Sequence, residues 1–172
     1  MKAYIKEPAF KGIKIHPSFA YTYADDEVYR PVWEFAAKHD LPIISHTWEL
    51  SSYNEAQKYS VPNRFEKYIE VYSNVPLIMA HSGGRYRAII EAAQLGKRYQ
   101  NVYYDTAGDI YANGFLEYLV EQVGASRIFF GSDCTMMDQR TMLGIVFGAD
   151  ISLEDKEKIL FKNANEFFKL GF

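Results

Sequence analysis

Five short apolar or aromatic runs, most of them β-branched, recur along the chain, and each closes on a polar side chain: GIKIH at His16, PIISH at His46, PLIMAH at His81, VYYD at Asp105 and RIFFGSD at Asp133. The closing residues are separated by 30, 35, 24 and 28 residues, the length of a strand, a helix and two loops. Parallel strands need a crossover of this length, usually a helix, whereas antiparallel strands can be joined by a tight turn. The chain is therefore read as α/β with a parallel sheet, either part of a (β/α) barrel or an open doubly wound sheet. Polar residues at the carboxyl ends of such strands are where these folds build active sites.

The intervening segments have helical periodicity. A helix is expected to open near Asp25 and Asp26, acids suited to a helix N-terminus, and to carry Val28, Val32, Phe35 and Ala36 on one face before Pro42. After His46 the polar stretch TWELSSYNEAQKYSVPN is the longest irregular candidate, and a helix with Phe65, Tyr68, Ile69 and Tyr72 follows it. Ser82-Gly83-Gly84 turns the chain into a helix with Ile89, Ile90, Ala93 and Leu95. A fourth helix runs through Phe115, Leu116, Leu119 and Val120, and a fifth strand spans Arg127 to Asp133. Two helices close the chain, around Thr141 to Phe147 and after Ser152, where Asp155 three residues on makes a capping-box variant.

A formal net charge of -3 with scattered Lys and Arg gives no basic field, so nucleic-acid binding is excluded as an expectation. No apolar run approaches about 18 residues and MKAYIKEPAF lacks the apolar stretch of a signal peptide, so no membrane partner is expected. The lone Cys134 cannot form an internal disulfide, which fits a cytoplasmic protein. Beside Asp133 it reads either as a nucleophile or as a small buried apolar residue. Neither GxxxxGK nor GxGxxG occurs, so a nucleotide fold has no phosphate motif behind it.

Side chains alternate along a strand, so Lys14 and His16 share one face while Ile13 and Ile15 take the other. Imidazole and carboxylate ligate zinc and related divalent ions, and His46, His81 and Asp133 form a three-ligand candidate set drawn from separate strand ends. Each has a plainer reading: a histidine hydrogen-bonded at the sheet rim, or an aspartate capping the next helix. Asp105 is open in the same way between orienting a ligand and capping. His39 sits at a helix C-terminus and is given no catalytic role. Trp48 and Glu49 follow His46 on a loop expected to face the site. In HSGGRYR, Arg85 and Arg87 either hold a carboxylate or phosphate beside a helix N-terminus or are simply solvated.

Taken in order, KGIKIHP, LPIISHTW, VPLIMAHSGG, NVYYDTAG, RIFFGSD and ILFKNANEFFKL resemble the amidohydrolase-related TIM-barrel metal-dependent hydrolases, the branch that includes aminocarboxymuconate semialdehyde decarboxylase-like enzymes. The resemblance implies a partial (β/α)8 TIM barrel in which residues 12–133 supply parallel strands four to eight with their helices. Residues 1–172 would then be a single domain, the C-terminal part of the barrel, whose complete form takes about 250 residues. It implies metal ligation by His46, His81 and Asp133, with zinc the first candidate ion. Asp133 would accept a proton from metal-bound water and His81 would act on the substrate. Lys14, His16, Trp48 and Arg85 would bind a small-molecule substrate. The family's first-strand His-x-His pair has no counterpart in this sequence.

Three functions are expected from this resemblance. The first is hydrolysis, with a metal-activated water attacking a carbonyl-type centre. The second is decarboxylation on the same scaffold. The third is a catalytically incomplete half-barrel acting as a structural or oligomerising module. First and last strands without barrel neighbours would leave open edges, so a homo-oligomer associating through exposed sheet edges is expected.

Overall fold

The computed structural model describes Ile5 and residues 7–172. Five strands, β1 (Ile13–Ile15), β2 (Ile43–His46), β3 (Leu77–Ala80), β4 (Val102–Asp105) and β5 (Ile128–Phe129), form one parallel sheet in sequence order. The helices are α1 (Pro17–Ala20), α2 (Arg30–Lys38), α3 (Glu66–Val71), α4 (Tyr86–Arg98), α5 (Phe115–Val123), α6 (Gln139–Gly148), α7 (Leu153–Glu157) and α8 (Asn163–Phe168). Strand, helix and neighbouring strand recur in order, as the spacing of the apolar runs implies.

Strand alternation divides the sheet into two faces. Ile13, Ile15, Ile43, Leu77, Met79, Val102, Tyr104 and Ile128 are buried in the main core with helix residues such as Trp33, Ile69, Ile89, Ala93 and Leu119. Complete burial of a side chain such as Leu77 contributes roughly 1.5–3 kcal/mol. Lys14, Ile44, Ile78 and Tyr103 lie in one register row on the opposite face, and His46 pairs with Ala80 further along. This second face leads to the strand ends that carry the histidines.

Three local expectations change. Val28 is 62% exposed rather than on the inner helix face, because Asp26 caps a 3-10 turn over Glu27–Tyr29 and the α-helical register begins only at Arg30. Trp33 takes the inward place, fully buried and stacked on Tyr68. The fifth strand is Ile128–Phe129 rather than Arg127 to Asp133. Arg127 closes a 3-10 turn, and the Phe130 N–H donates to the carbonyl of Ile159 in the C-terminal segment. The polar stretch after His46 contains the 3-10 turns Glu55–Tyr59 and Pro62–Phe65, the first opened by Asn54 accepting from the Ala56 N–H. The Ser152 capping box forms as the sequence implies: Ser152 Oγ accepts from the Asp155 N–H and donates to its carboxylate. No described helix is long and apolar enough to cross a membrane.

Candidate functional site

The carboxyl ends of β1, β2 and β3 and the segments after β4 and β5 enclose a cavity of about 440 Å³ lined by Lys14, His16, His46, Trp48, Tyr53, Gln57, His81, Gly108, Asp109, Asp133 and Met136. Three other depressions, of about 290 to 350 Å³, contain no histidine. Every strand-end histidine thus reaches one place, and Asp133 joins them from the loop beyond β5.

Each histidine is held by one ring nitrogen. His16 caps α1, its Nδ1 accepting from the Phe19 N–H at 3.1 Å, which leaves Nε2–H as a donor. Burial, with Lys14 and His81 beside it, lowers its pKa. His46 Nε2 is 2.9 Å from the Gln57 side-chain oxygen, which also accepts from Ser18 Oγ at 3.2 Å. With that oxygen as acceptor, His46 carries its lone pair on Nδ1. Burial pushes the His46 pKa down to about 3, so the ring is neutral at physiological pH and able to ligate. His81 Nδ1–H donates to the Ala107 carbonyl at 3.0 Å, and Nε2 is its remaining nitrogen. Hydrogen bonds of this kind fix which nitrogen a histidine offers to a metal or substrate.

The rings pack closely. His16 and His46 stack at 4.1 Å, His46 meets His81 edge-on at 4.9 Å, and Trp48 lies parallel to His46 at 6.0 Å. Gly84 makes room for this wall: its φ is +83°, and a Cβ there would stand 2.5 Å from the Trp48 ring. Lys14 projects from the second sheet face. Burial lowers its pKa, and the nearby charges of Asp105 and Asp133 partly restore it.

The plainer readings divide. Asp105 ends β4 and braces the turns beside it, its Oδ1 accepting from the backbone N–H groups of His81 at 2.8 Å and Ala107 at 3.0 Å. Asp133 does not cap the next helix. Asp138 does so, accepting from the Arg140 N–H, while Asp133 has φ +56° and its backbone carbonyl accepts from Met136 and Met137. Cys134 is exposed rather than buried and does not line the cavity. Both arginines of HSGGRYR are engaged with carboxylates, Arg85 with Asp109 and Arg87 with Glu91, and neither lines the cavity. Glu49 lies outside it as well. Gln57, Tyr53, Asp109 and Met136 line it although no sequence signal points to them. They sit in irregular segments, where no periodicity shows which way a side chain points.

Comparison with known proteins decides the lineage. The amidohydrolase family model matches residues 1–170. The chain belongs to the amidohydrolase family. Among curated proteins none matches significantly. Solved structures similar to this family member include an uncharacterized TIM-barrel protein from Bordetella bronchiseptica, with a TM-score of 0.75 and 17% identity over 91% of this chain and 57% of that one. The 2,6-dihydroxybenzoate decarboxylase from Rhizobium has a TM-score of 0.66 and 21% identity over 87% of this chain and 58% of its own. A 5-carboxyvanillate decarboxylase from Novosphingobium aromaticivorans, complexed with manganese and 4-hydroxy-3-methoxy-5-nitrobenzoic acid, has a TM-score of 0.68 and 16% identity over 98% of this chain and 59% of its own. This amidohydrolase-family chain therefore has the TIM-barrel type of α/β fold and spans 57% to 59% of the length of these three structures.

A divalent ion needs converging donors. His46 and His81 each keep one ring nitrogen clear of their hydrogen bonds, and Asp133 adds a carboxylate to the same cavity. Among the described residues, however, no three His, Cys, Asp or Glu side chains lie close enough together to hold an ion. The donors suit a divalent metal in kind but do not by themselves close a shell around one.

Proposed function

We propose that residues 1–172 form a single domain, the C-terminal part of a barrel whose site removes the carboxyl group from a hydroxylated aromatic acid. The observation that carries this reading is the composition of the cavity: one cationic side chain, Lys14, three imidazoles, the flat walls of Trp48 and Tyr53, and the carboxylates of Asp133 and of Asp109, the latter paired with Arg85. A planar acid packs against the aromatic wall, and Lys14 with the His16 Nε2–H holds an anionic oxygen of it. The carbon–carboxylate bond breaks, its electron pair stays on the ring carbon, and CO2 leaves. Asp133 passes a proton taken up from solvent to that ring carbon, so that aryl carboxylate and one proton give arene and CO2.

Decarboxylases among the similar structures support this choice, and manganese in one of them supports a divalent ion. Such an ion, zinc first and manganese second, would take His46, His81 and Asp133 as ligands only if these drew closer together than they stand here. When bound, it would supply Lewis-acid stabilisation of the substrate's anionic oxygens. Hydrolysis of an amide or lactone is the second reading, favoured by the family that matches. The test offers the purified chain, supplied with zinc or manganese, a panel of hydroxybenzoates and aryl amides. Release of CO2 bears the reading out. Amide cleavage without CO2 selects hydrolysis, and neither activity, with metal content well below one equivalent, leaves a structural module.

Self-association belongs to the same proposal. Among the described residues β1 pairs on one side only, whereas β5 is partly covered by the C-terminal segment: the Ile159 carbonyl accepts from the Phe130 N–H, and Asn163 Nδ2 donates to the Ile128 carbonyl. We therefore place homo-oligomerisation at the β1 edge, in a reducing cytoplasm where the exposed Cys134 stays a thiol. Sedimentation velocity checks it: a species heavier than 19.9 kDa is expected, and a monomer at every concentration would sink the idea.

A further inference from the structure

We propose that Arg85 is a positioning residue for His81, acting through the loop after β4. His81 opens a turn of unusual backbone: His81, Ser82, Gly83 and Gly84 all have positive φ, and two of these residues carry side chains disfavoured there. Such a turn persists only when its surroundings over-determine it. The surroundings here are residues 105–109. Asp105 binds the backbone N–H of His81, the Ala107 carbonyl accepts from His81 Nδ1–H, and Gly108 lies against the imidazole. Gly108 has φ +89°, and a Cβ there would stand 2.5 Å from His81 Nδ1, so the loop touches the ring along its backbone.

The next residue, Asp109, lines the cavity and is the one Arg85 grips. The guanidinium Nη2 donates to the Asp109 carboxylate, and more weakly to its carbonyl at 3.4 Å. Arg85 stands four residues after His81, at the N-cap of α4, so the segment that presents His81 reaches back to hold the loop that seats it. The loop is thus tied at both ends of a short stretch, by His81 at Ala107 and by Arg85 at Asp109. The guanidinium is further fixed between Trp48, at 5.6 Å, and Tyr111, at 5.5 Å. Its Nε is buried without a hydrogen-bond partner, an arrangement that a freely solvated arginine would not adopt. Arg87, two residues on, is a contrast: it pairs with Glu91 on its own helix and its side chain is 85% exposed.

Releasing Asp109 lets the loop lift, and His81 loses the acceptor that holds its proton on Nδ1. In the neutral ring, Nε2 then ceases to be uniquely the lone-pair atom. This role rests on the proposed function only in that His81 works in the cavity; the ring spectrum reports on Arg85 whether or not any turnover occurs. Nitrogen-15 imidazole correlation spectra of the full chain, recorded without added metal well above the ordinary imidazole range, should show His81 in the Nδ1–H form. Arg85→Gln should give a mixture of tautomers with exchange of the Nδ1 proton raised about tenfold or more. Asp109→Asn should do the same, which keeps the test usable if one variant folds poorly, and Arg85→Lys should recover part of the original signal. Arg87→Gln should leave it unchanged. An unaltered His81 signal in a folded Arg85→Gln or Asp109→Asn chain, judged by its amide spectrum, would overturn the proposal.

Discussion

Asp133→Asn is expected to lower kcat for the proposed decarboxylation by roughly 10²- to 10⁴-fold, the range typical of losing a positioned proton-transfer group, while KM changes little. The substitution keeps the shape of the side chain and removes its capacity to carry a proton. Asp133 lines the cavity and caps no helix with its side chain, since the next helix is capped by Asp138, so the fold does not depend on the carboxylate. A fall in kcat with unchanged melting temperature and unchanged metal content is the informative result. If Asp133→Asn turns over hydroxybenzoates at the rate of the unaltered chain, another group supplies the proton and the assignment is wrong. Cys134→Ala provides the comparison. The thiol is exposed and outside the cavity, so activity should survive its removal.

Gly96→Ala is the substitution expected to cost the fold most for the least change in chemistry. In an exposed helix interior, replacing glycine by alanine stabilises by about 0.8–1 kcal/mol. At this position the opposite sign is expected. A Cβ on Gly96 would stand 2.0 Å from Tyr104 Oη and 3.0 Å from its Cζ. Tyr104 is fully buried and its hydroxyl donates to the Ala92 carbonyl at 2.8 Å, so the ring has no free direction in which to yield. Overpacking of this kind destabilises by about 1–3 kcal/mol, or roughly 2–4 °C in melting temperature per kcal/mol for a chain of this size. Tyr104→Phe removes the clashing oxygen. Alone it should cost about 1 kcal/mol for the lost hydrogen bond, and combined with Gly96→Ala it should recover most of the overpacking cost, a coupling of at least about 0.5 kcal/mol. Thermal melts of the two single variants and the double variant test this. Strict additivity would mean that the helix and strand do not meet as described.

A residue's place is legible in the sequence where a local rule governs it. Ile13, Ile43, Leu77, Val102 and Ile128 announce their strands because parallel strands covered by helices need continuous apolar runs. Capping by Ser152 is legible for the same reason, since Ser152 and Asp155 satisfy each other within one turn. Val28 departs from its expected face because a single capped 3-10 turn at Asp26 shifts the helix register, and periodicity does not record that shift. The fifth strand is shorter than its apolar run because the backbone past Phe129 bonds to Ile159, in the C-terminal segment, instead of to β4. Gln57 against His46, and Asp109 in the grip of Arg85, leave no trace in the sequence because Gln57 and Asp109 sit in segments after β2 and β4 that no strand or α-helix periodicity orients.

The sequence by itself determined the α/β class, the strand-end places of His16, His46 and His81, the place of Asp133 just beyond the last apolar run, and the family to which the chain belongs. The class and these places arise from alternation and spacing, which act over a few residues, and the family from its motifs taken in order. Only the tertiary structure decided that these four line one cavity, which nitrogen each histidine keeps for it, and that they do not alone close a metal shell. Those outcomes turn on ångström-scale contacts among Gln57, Ala107, Gly108 and Asp109, made only when β1 to β5 and their loops are packed together.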